Sequence, residues 1–153
     1  MPVIRVETWI QAPAEACFDL ARSVEAHVAS TARTGERAVG GVTSGLLGLG
    51  DEVTWEARHL GVRQRLTATI TRFERPSMFE DRMVRGAFKS FVHVHEFEPE
   101  RGGTRMIDRF DYRSPLGPLG RLADLVFLER YMRRFLVERA NHLKQTAEAA
   151  GTP

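Results

Sequence analysis

Residues 88–113 read FKSFVHVHEFEPERGGTRMIDRFDYR, and their alternation decides the fold. Two runs of period-two patterning flank the turn Pro99-Glu100-Arg101-Gly102-Gly103-Thr104, so they pair as an antiparallel hairpin. In the second run Thr104, Met106, Asp108, Phe110 and Tyr112 share one face, while Arg105, Ile107, Arg109, Asp111 and Arg113 share the other. The arginine-rich face belongs in water, which carries Asp108 inward with Met106, Phe110 and Tyr112. In the first run Phe91, His93, His95 and Phe97 form the aromatic, inward set. A turn centred near Arg101-Gly102 sets His95 opposite Asp108; a two-residue slip sets His93 there instead. Either register puts a carboxylate beside an imidazole on an apolar face, because opposed Cβ atoms are only about 5 Å apart. Asp81, in FEDRM, is placed to join them from the preceding hairpin. An isolated buried carboxylate is costly, so Asp108 must be paired, hydrogen-bonded or wet. Either an Asp–His bond pins two strands, or the sheet stands off its cover and leaves a cavity with one polar wall. The bulky inner residues Trp55, Phe91, Phe110 and Tyr112 favour the cavity.

Working outward, VIRVETWIQA (3–12) alternates and reads as a strand. PAEACFDLARS follows as a helix entered at Pro13, then VEAHVASTA as a shorter one. A glycine-rich stretch from Thr34 to Gly50 holds one short strand around Arg37–Val42. DEVTWEARHL and VRQRLTATITRFE form a hairpin about Gly61, with Val53, Trp55, Ala57, His59, Leu66, Ala68 and Ile70 inward and Arg63, Arg65, Thr67 and Thr69 outward. MFEDRMVR pairs with the 88–100 strand across Gly86-Ala87. From Pro118 to about Ala149 the pattern is one long helix, whose stripe is Leu125, Leu128, Met132, Phe135 or Leu136, Ala140, Leu143 and Ala147. Strands joined by short turns are antiparallel. The long helix is the only element able to cover their apolar face. The expectation is an α+β fold in which a curved antiparallel sheet of six or seven strands grips that helix, as a single domain over 1–153.

Composition narrows the function. At 153 residues, 42% hydrophobic and 27% charged, the chain is an ordinary globule that needs no disulfide, and it has one cysteine. Cys17 lies beside Phe18 and reads as a small core residue. The N-terminus has no apolar signal-like run and no segment is long enough to span a membrane, so a cytoplasmic location is the default expectation. The net charge of +2 comes from dispersed arginines. Their strongest grouping, Arg130, Arg133 and Arg134, is a solvated helix face, so no nucleic-acid partner is expected.

The run from Met78 to Met132, with APAEACFDLARS (12–23), HVHEF (93–97), GGTRMIDRFDY (102–112) and SPLGPLG (114–120), resembles the START-like or SRPBCC (Bet v 1-like) superfamily. Within it the chain is similar to stand-alone bacterial ligand-binding proteins grouped with polyketide cyclase/dehydrase-like and lipid-transport domains. The resemblance implies a helix-grip fold and a pocket for a small, largely hydrophobic molecule such as a lipid, polyketide or isoprenoid. It implies no one chemistry, since the fold hosts carriers, sensors and enzymes. Met83 stands where the pattern often has Gln, and the aromatic near Phe91 is often Trp; both departures change the pocket.

The sheet offers Trp55, His59, Asp81, Met83, Phe91, His93, His95, Asp108, Phe110 and Tyr112 to such a ligand. The helix offers Leu128, Tyr131, Met132 and Phe135. His93, His95 and Asp108 are also the catalytic candidates, as an acid–base pair of the cyclase or dehydratase kind, because a carboxylate fixes and strengthens an imidazole base. No nucleophile accompanies them. A metal centre ranks last, with His59 or Asp108 as third ligand to the two histidines, because neither cysteines nor a metalloprotease motif supports it. No cofactor is expected. GLLGLG (45–50) precedes a strand instead of opening a helix, so it is no phosphate cradle; its leucines suit packing, a pocket mouth, or a partner or membrane contact.

Overall fold

The computed structural model describes residues 3–115, 117–123 and 127–151. Strand β1 (Val3–Ile10) leads into helices α1 (Ala14–Ala21) and α2 (Val24–Ser30). Six strands follow: β2 (Arg37–Gly41), β3 (Glu52–His59), β4 (Val62–Glu74), β5 (Met78–Arg85), β6 (Ser90–Glu100) and β7 (Gly103–Arg113). Helices α3 (Gly117–Ala123) and α4 (Glu129–Ala150) close the chain. The strands form one antiparallel sheet in the order β1-β7-β6-β5-β4-β3-β2.

Each element follows from its local sequence. Pro13 presets the extended N-cap of α1, and Ala14, Cys17, Phe18 and Ala21 then fall on one buried face. The Ser23 side chain accepts the Ala26 N–H and starts α2. Arg101 and Gly102 both take positive φ, 53° and 77°, the turn that matches strand twist in a two-residue hairpin. That turn sets His95 opposite Asp108. A side chain at Gly103 would collide with the Ile10 carbonyl and the Trp9 ring, so glycine is required where β1 meets β7.

Inward parity holds along β6 and β7: Phe91, His93, His95, Phe97, Thr104, Met106, Asp108, Phe110 and Tyr112 are all buried. The outer face is less uniformly wet than expected. Thr67 is buried there and bonds Thr54 at 2.8 Å, and Ile107 is buried between Glu7 and Glu96. On the same face Arg37 and Arg65 reach the buried Glu56 at 2.6 and 2.9 Å.

The C-terminal segment corrects the expectation of one uniform helix from Pro118. Helical residues 117–123 come first, and α4 begins at Glu129 after a π-type turn at 127–128, where one extra residue is accommodated. Leu116 and Leu125 lie outside the described residues. In α4, Met132, Leu136, Ala140, Leu143 and Ala147 are buried, at the spacing of one helix face. The helix packs on β1, α1 and α2.

Candidate functional site

Between the sheet and α4 lies a cavity of about 270 Å³. Its floor comes from β3, β4, β6 and β7, through Trp55, Ala57, His59, Leu66, Ala68, Phe91, His93 and Phe110. Its roof is α4, through Tyr131, Met132, Phe135, Leu136 and Arg139, with Leu128 just before it. Phe88, from the β5–β6 turn, closes one side by standing edge-on to Phe91 and Phe110. Two alanines in the floor explain much of the void: Ala57 and Ala68 leave room where a leucine would fill it.

A polar network borders this space. His93 Nε2 lies 3.0 Å from Asp108 Oδ1, and His95 Nδ1 lies 3.1 Å from the same oxygen. His95 Nε2 reaches Asp81 Oδ1 at 2.9 Å. The imidazoles stack with centroids 3.8 Å apart, and Phe79 stacks on the far side of His95 at 4.2 Å. Two charged rings that close would repel, so the pair divides its roles. Burial pushes the His93 imidazole below its ordinary value, and the charge of His95 pushes it further. Burial acts on His95 too, but hydrogen bonds and charge from Asp108 and Asp81 outweigh it and hold the imidazolium above the ordinary value. Burial opposes ionisation of both carboxylates, yet the histidine hydrogen bonds win and hold Asp81 and Asp108 well below the usual range. The resulting order is carboxylate, imidazolium, carboxylate, neutral imidazole.

Asp81, His93 and His95 each bring one ligating atom within 4.8 Å of the others. The fit to a metal is poor, because their inward atoms are engaged with one another and with Asp108, and a cation would require His95 to give up a favoured proton. The chemistry of the set is that of an ion-pair network with one neutral imidazole, His93, at the cavity wall.

A second polar group sits nearby. His27 stacks on Trp55 at 4.0 Å and lies 3.2 Å from Glu36 Oε1. His59 Nδ1 and the Tyr131 hydroxyl are 2.7 Å apart. Burial lowers the His27 and His59 pKa values.

Ten sequence-selected residues line the cavity: Trp55, His59, Asp81, Phe91, His93, Phe110, Leu128, Tyr131, Met132 and Phe135. Met83, His95, Asp108 and Tyr112 do not. Met83 is half-buried against the core, and the other three are buried deeper in the sheet face. Sequence reasoning passed over His27, Glu36, Phe88 and Arg139. For Arg139 the signal was present: it is four residues after Phe135 and seven after Met132, hence on the inward stripe. Glu36 and Phe88 precede strands in irregular segments, where no periodicity marks direction. In the glycine-rich loop, Leu47 packs onto both apolar clusters and its N–H donates to the Arg22 carbonyl at 2.9 Å. Leu46 and Leu49 remain exposed.

Among the described residues no helix is long and apolar enough to cross a membrane. No curated relative matches the chain in sequence. Solved structures match it closely in shape. TTHA0849 from Thermus thermophilus superposes with a TM-score of 0.81 at 20% identity, covering 99% of this chain and 100% of that one. Protein Ms6760 from Mycobacterium smegmatis gives 0.72 at 17%, covering 97% and 92%. Major latex-like protein 151 from Panax ginseng gives 0.71 at 16%, covering 95% and 97%. At such identities these likenesses speak for the fold. The description "Polyketide cyclase / dehydrase and lipid transport" matches residues 1–148. The chain therefore belongs to the polyketide cyclase/dehydrase and lipid-transport family and carries its START-like, helix-grip fold.

Proposed function

We propose that this protein binds a small, largely hydrophobic molecule, such as a lipid, polyketide or isoprenoid, as a carrier or sensor. The carrying observation is the cavity of about 270 Å³ between sheet and α4, walled by aromatic side chains and polar at one side. Its size is just below the roughly 300–1,000 Å³ common for small-molecule sites, which points to a small guest. Burying about 300 Å² of ligand hydrocarbon contributes roughly 7 kcal/mol before association costs. Micromolar affinity then needs one or two hydrogen bonds, which the polar wall offers. Native mass spectrometry of freshly purified protein, before and after incubation with lipid extracts and small-molecule panels, tests this. Loading of a discrete mass supports the reading; failure of every panel to load, with no quenching of an apolar fluorophore, overturns it.

A second reading is acid–base catalysis of the cyclase or dehydratase kind. What favours it is His93, a neutral imidazole at the cavity wall anchored by Asp108 at 3.0 Å. His95, held as a cation away from the cavity, is the poorer base. His93→Asn is expected to abolish turnover of a true substrate while leaving its affinity nearly unchanged. Parallel loss of both would assign His93 to binding or folding.

A further inference from the structure

The strand registers gather one end of the sheet around the mouth of the cavity. There β3 ends and β4 begins, β5 ends and β6 begins, and β7 runs out toward α3. Leu60, Ala87, Phe88 and Pro115, from these three connections, all border the cavity. Helix α3 spans the gap between Pro115 and Leu128, which both line the cavity, so it too lies at the mouth.

Apolar side chains at this end face solvent. Leu60, at the tip of the β3–β4 hairpin, is 56% exposed, and Val62 beside it is exposed as well. On α3, Leu119 and Leu122 are 63% and 55% exposed, and their spacing puts them on one side of the helix. Phe127 is exposed just before α4. Leu60 also holds φ at 54°, in the left-handed region that a leucine enters at a cost. No burial offsets that cost in the free protein, which points to a partner outside the chain.

Cations surround these tips. Arg58 and Arg63 are directly opposed across β3 and β4, a like-charged pairing that weakens the sheet. Arg85 ends β5, and the Lys89 N–H donates to the Arg113 carbonyl at 2.9 Å, which sets Lys89 beside the end of β7. Arg121 lies on α3. All six are exposed. Among the described residues none of them has a carboxylate oxygen within 4.0 Å, whereas Arg75, Arg105 and Arg134 do. Two carboxylates, Asp111 and Glu129, also lie at this end and are outnumbered.

Apolar tips ringed by cations match a surface that is anionic outside and oily beneath. We propose that the cavity mouth docks on an anionic lipid bilayer. Leu60, Leu119, Leu122 and Phe127 enter the acyl boundary, and the six cations meet lipid phosphates. A second copy of the chain fits poorly, because two such mouths would set cation against cation. A nucleic acid would satisfy the cations and leave the leucines in water. The proposal rests on the outside of the mouth and holds whatever fills the cavity.

Co-sedimentation with vesicles of phosphatidylcholine alone, and of equimolar phosphatidylcholine and phosphatidylglycerol, tests this. Wild-type protein is expected to bind the anionic vesicles at least about tenfold more tightly than the neutral ones. Binding should fall as salt approaches about 1 M, where the screening length is about 3 Å. Arg58→Gln with Arg63→Gln should weaken it at least about tenfold, at roughly fivefold per basic residue. Leu119→Ser with Leu122→Ser should weaken it by a similar factor. Leu60→Asn should weaken it too, with thermal stability equal or higher because asparagine suits the left-handed turn, so that loss of binding is not loss of folding. Arg101→Gln, at the far end of the sheet, should bind like wild type. Failure of wild-type protein to pellet with the anionic vesicles would overturn the proposal. So would leucine variants that bind as well as wild type, a dimer that those variants abolish, or tighter binding to a DNA or RNA duplex than to the vesicles.

Discussion

The two ends of the interior use the same kind of residue to opposite effect. Under α1, Phe18 is fully buried and stands edge-on to Phe73, Phe79 and Phe97, with centroids 5.2, 5.3 and 5.5 Å away. Cys17, Ile10 and Met106 close that end completely. Under the first half of α4, Phe135, Tyr131 and Phe88 are only half-buried and stand around a void. The difference is one of supply. At the closed end a second helix delivers a large side chain into the sheet's concavity. At the open end the floor carries Ala57 and Ala68, and α4 alone must bridge the gap. Aromatic content does not decide whether a core is solid; the partner layer does. The Asp81–His95–Asp108–His93 network lies on the boundary, where buried charge stays tolerable because every charged member is paired.

The contrast is open to attack by substitution. Phe18→Ala should cost about 3–5 kcal/mol in urea unfolding, because a closed core cannot collapse around the loss. Phe135→Ala should cost less than about half as much, since its ring already borders empty space. Equal losses would erase the distinction between the two ends. Asp108→Ala comes next, at about 3 kcal/mol by the same assay, because it strips two imidazoles of their shared acceptor. A loss below about 1 kcal/mol would mean that the network is wet and easily rewired.

Ala57→Leu sharpens the comparison differently. It fills the floor of the open end, so any ligand found by native mass spectrometry should bind at least about tenfold more weakly, with stability within about 1 kcal/mol of wild type. Unchanged binding would move the ligand site elsewhere.

The smallest expected effect concerns pH. NMR titration of the imidazole protons should find His95 titrating above the ordinary 6.5 and His93 below it. A raised pKa makes the His95 contribution fully present below 6.5 and lost as pH rises through its folded value. The depressed value of His93 works in the opposite sense, removing stability as pH falls below 6.5. The two act on opposite sides of 6.5, so thermal stability should peak near that pH, falling at higher pH as His95 loses its proton and at lower pH through His93 and the likewise lowered His27 and His59. Asp81 and Asp108, both depressed, contribute stability above the ordinary carboxylate value of 3.8 that is lost as pH falls through their folded values. Two histidines titrating together near 6.5 would dissolve the division of roles.

Alternation in residues 88–113, with a short turn near Arg101-Gly102, was enough to determine the β6–β7 hairpin and that a histidine meets Asp108, while the structure chose His95 as the residue opposite it. A strand's period and a short turn are local properties, written in consecutive residues. Met132, Ala140, Leu143 and Ala147 were legible on α4 for the same reason, and the structure chose Leu136 over Phe135 as the buried residue between them. Tertiary structure alone decided which rings pack solidly and which stand apart, that His93 borders the cavity while His95 does not, and that Glu36 meets Arg139's side of the wall. Those outcomes depend on how far one layer stands from another, a distance fixed by contacts between segments remote in sequence that no local pattern encodes.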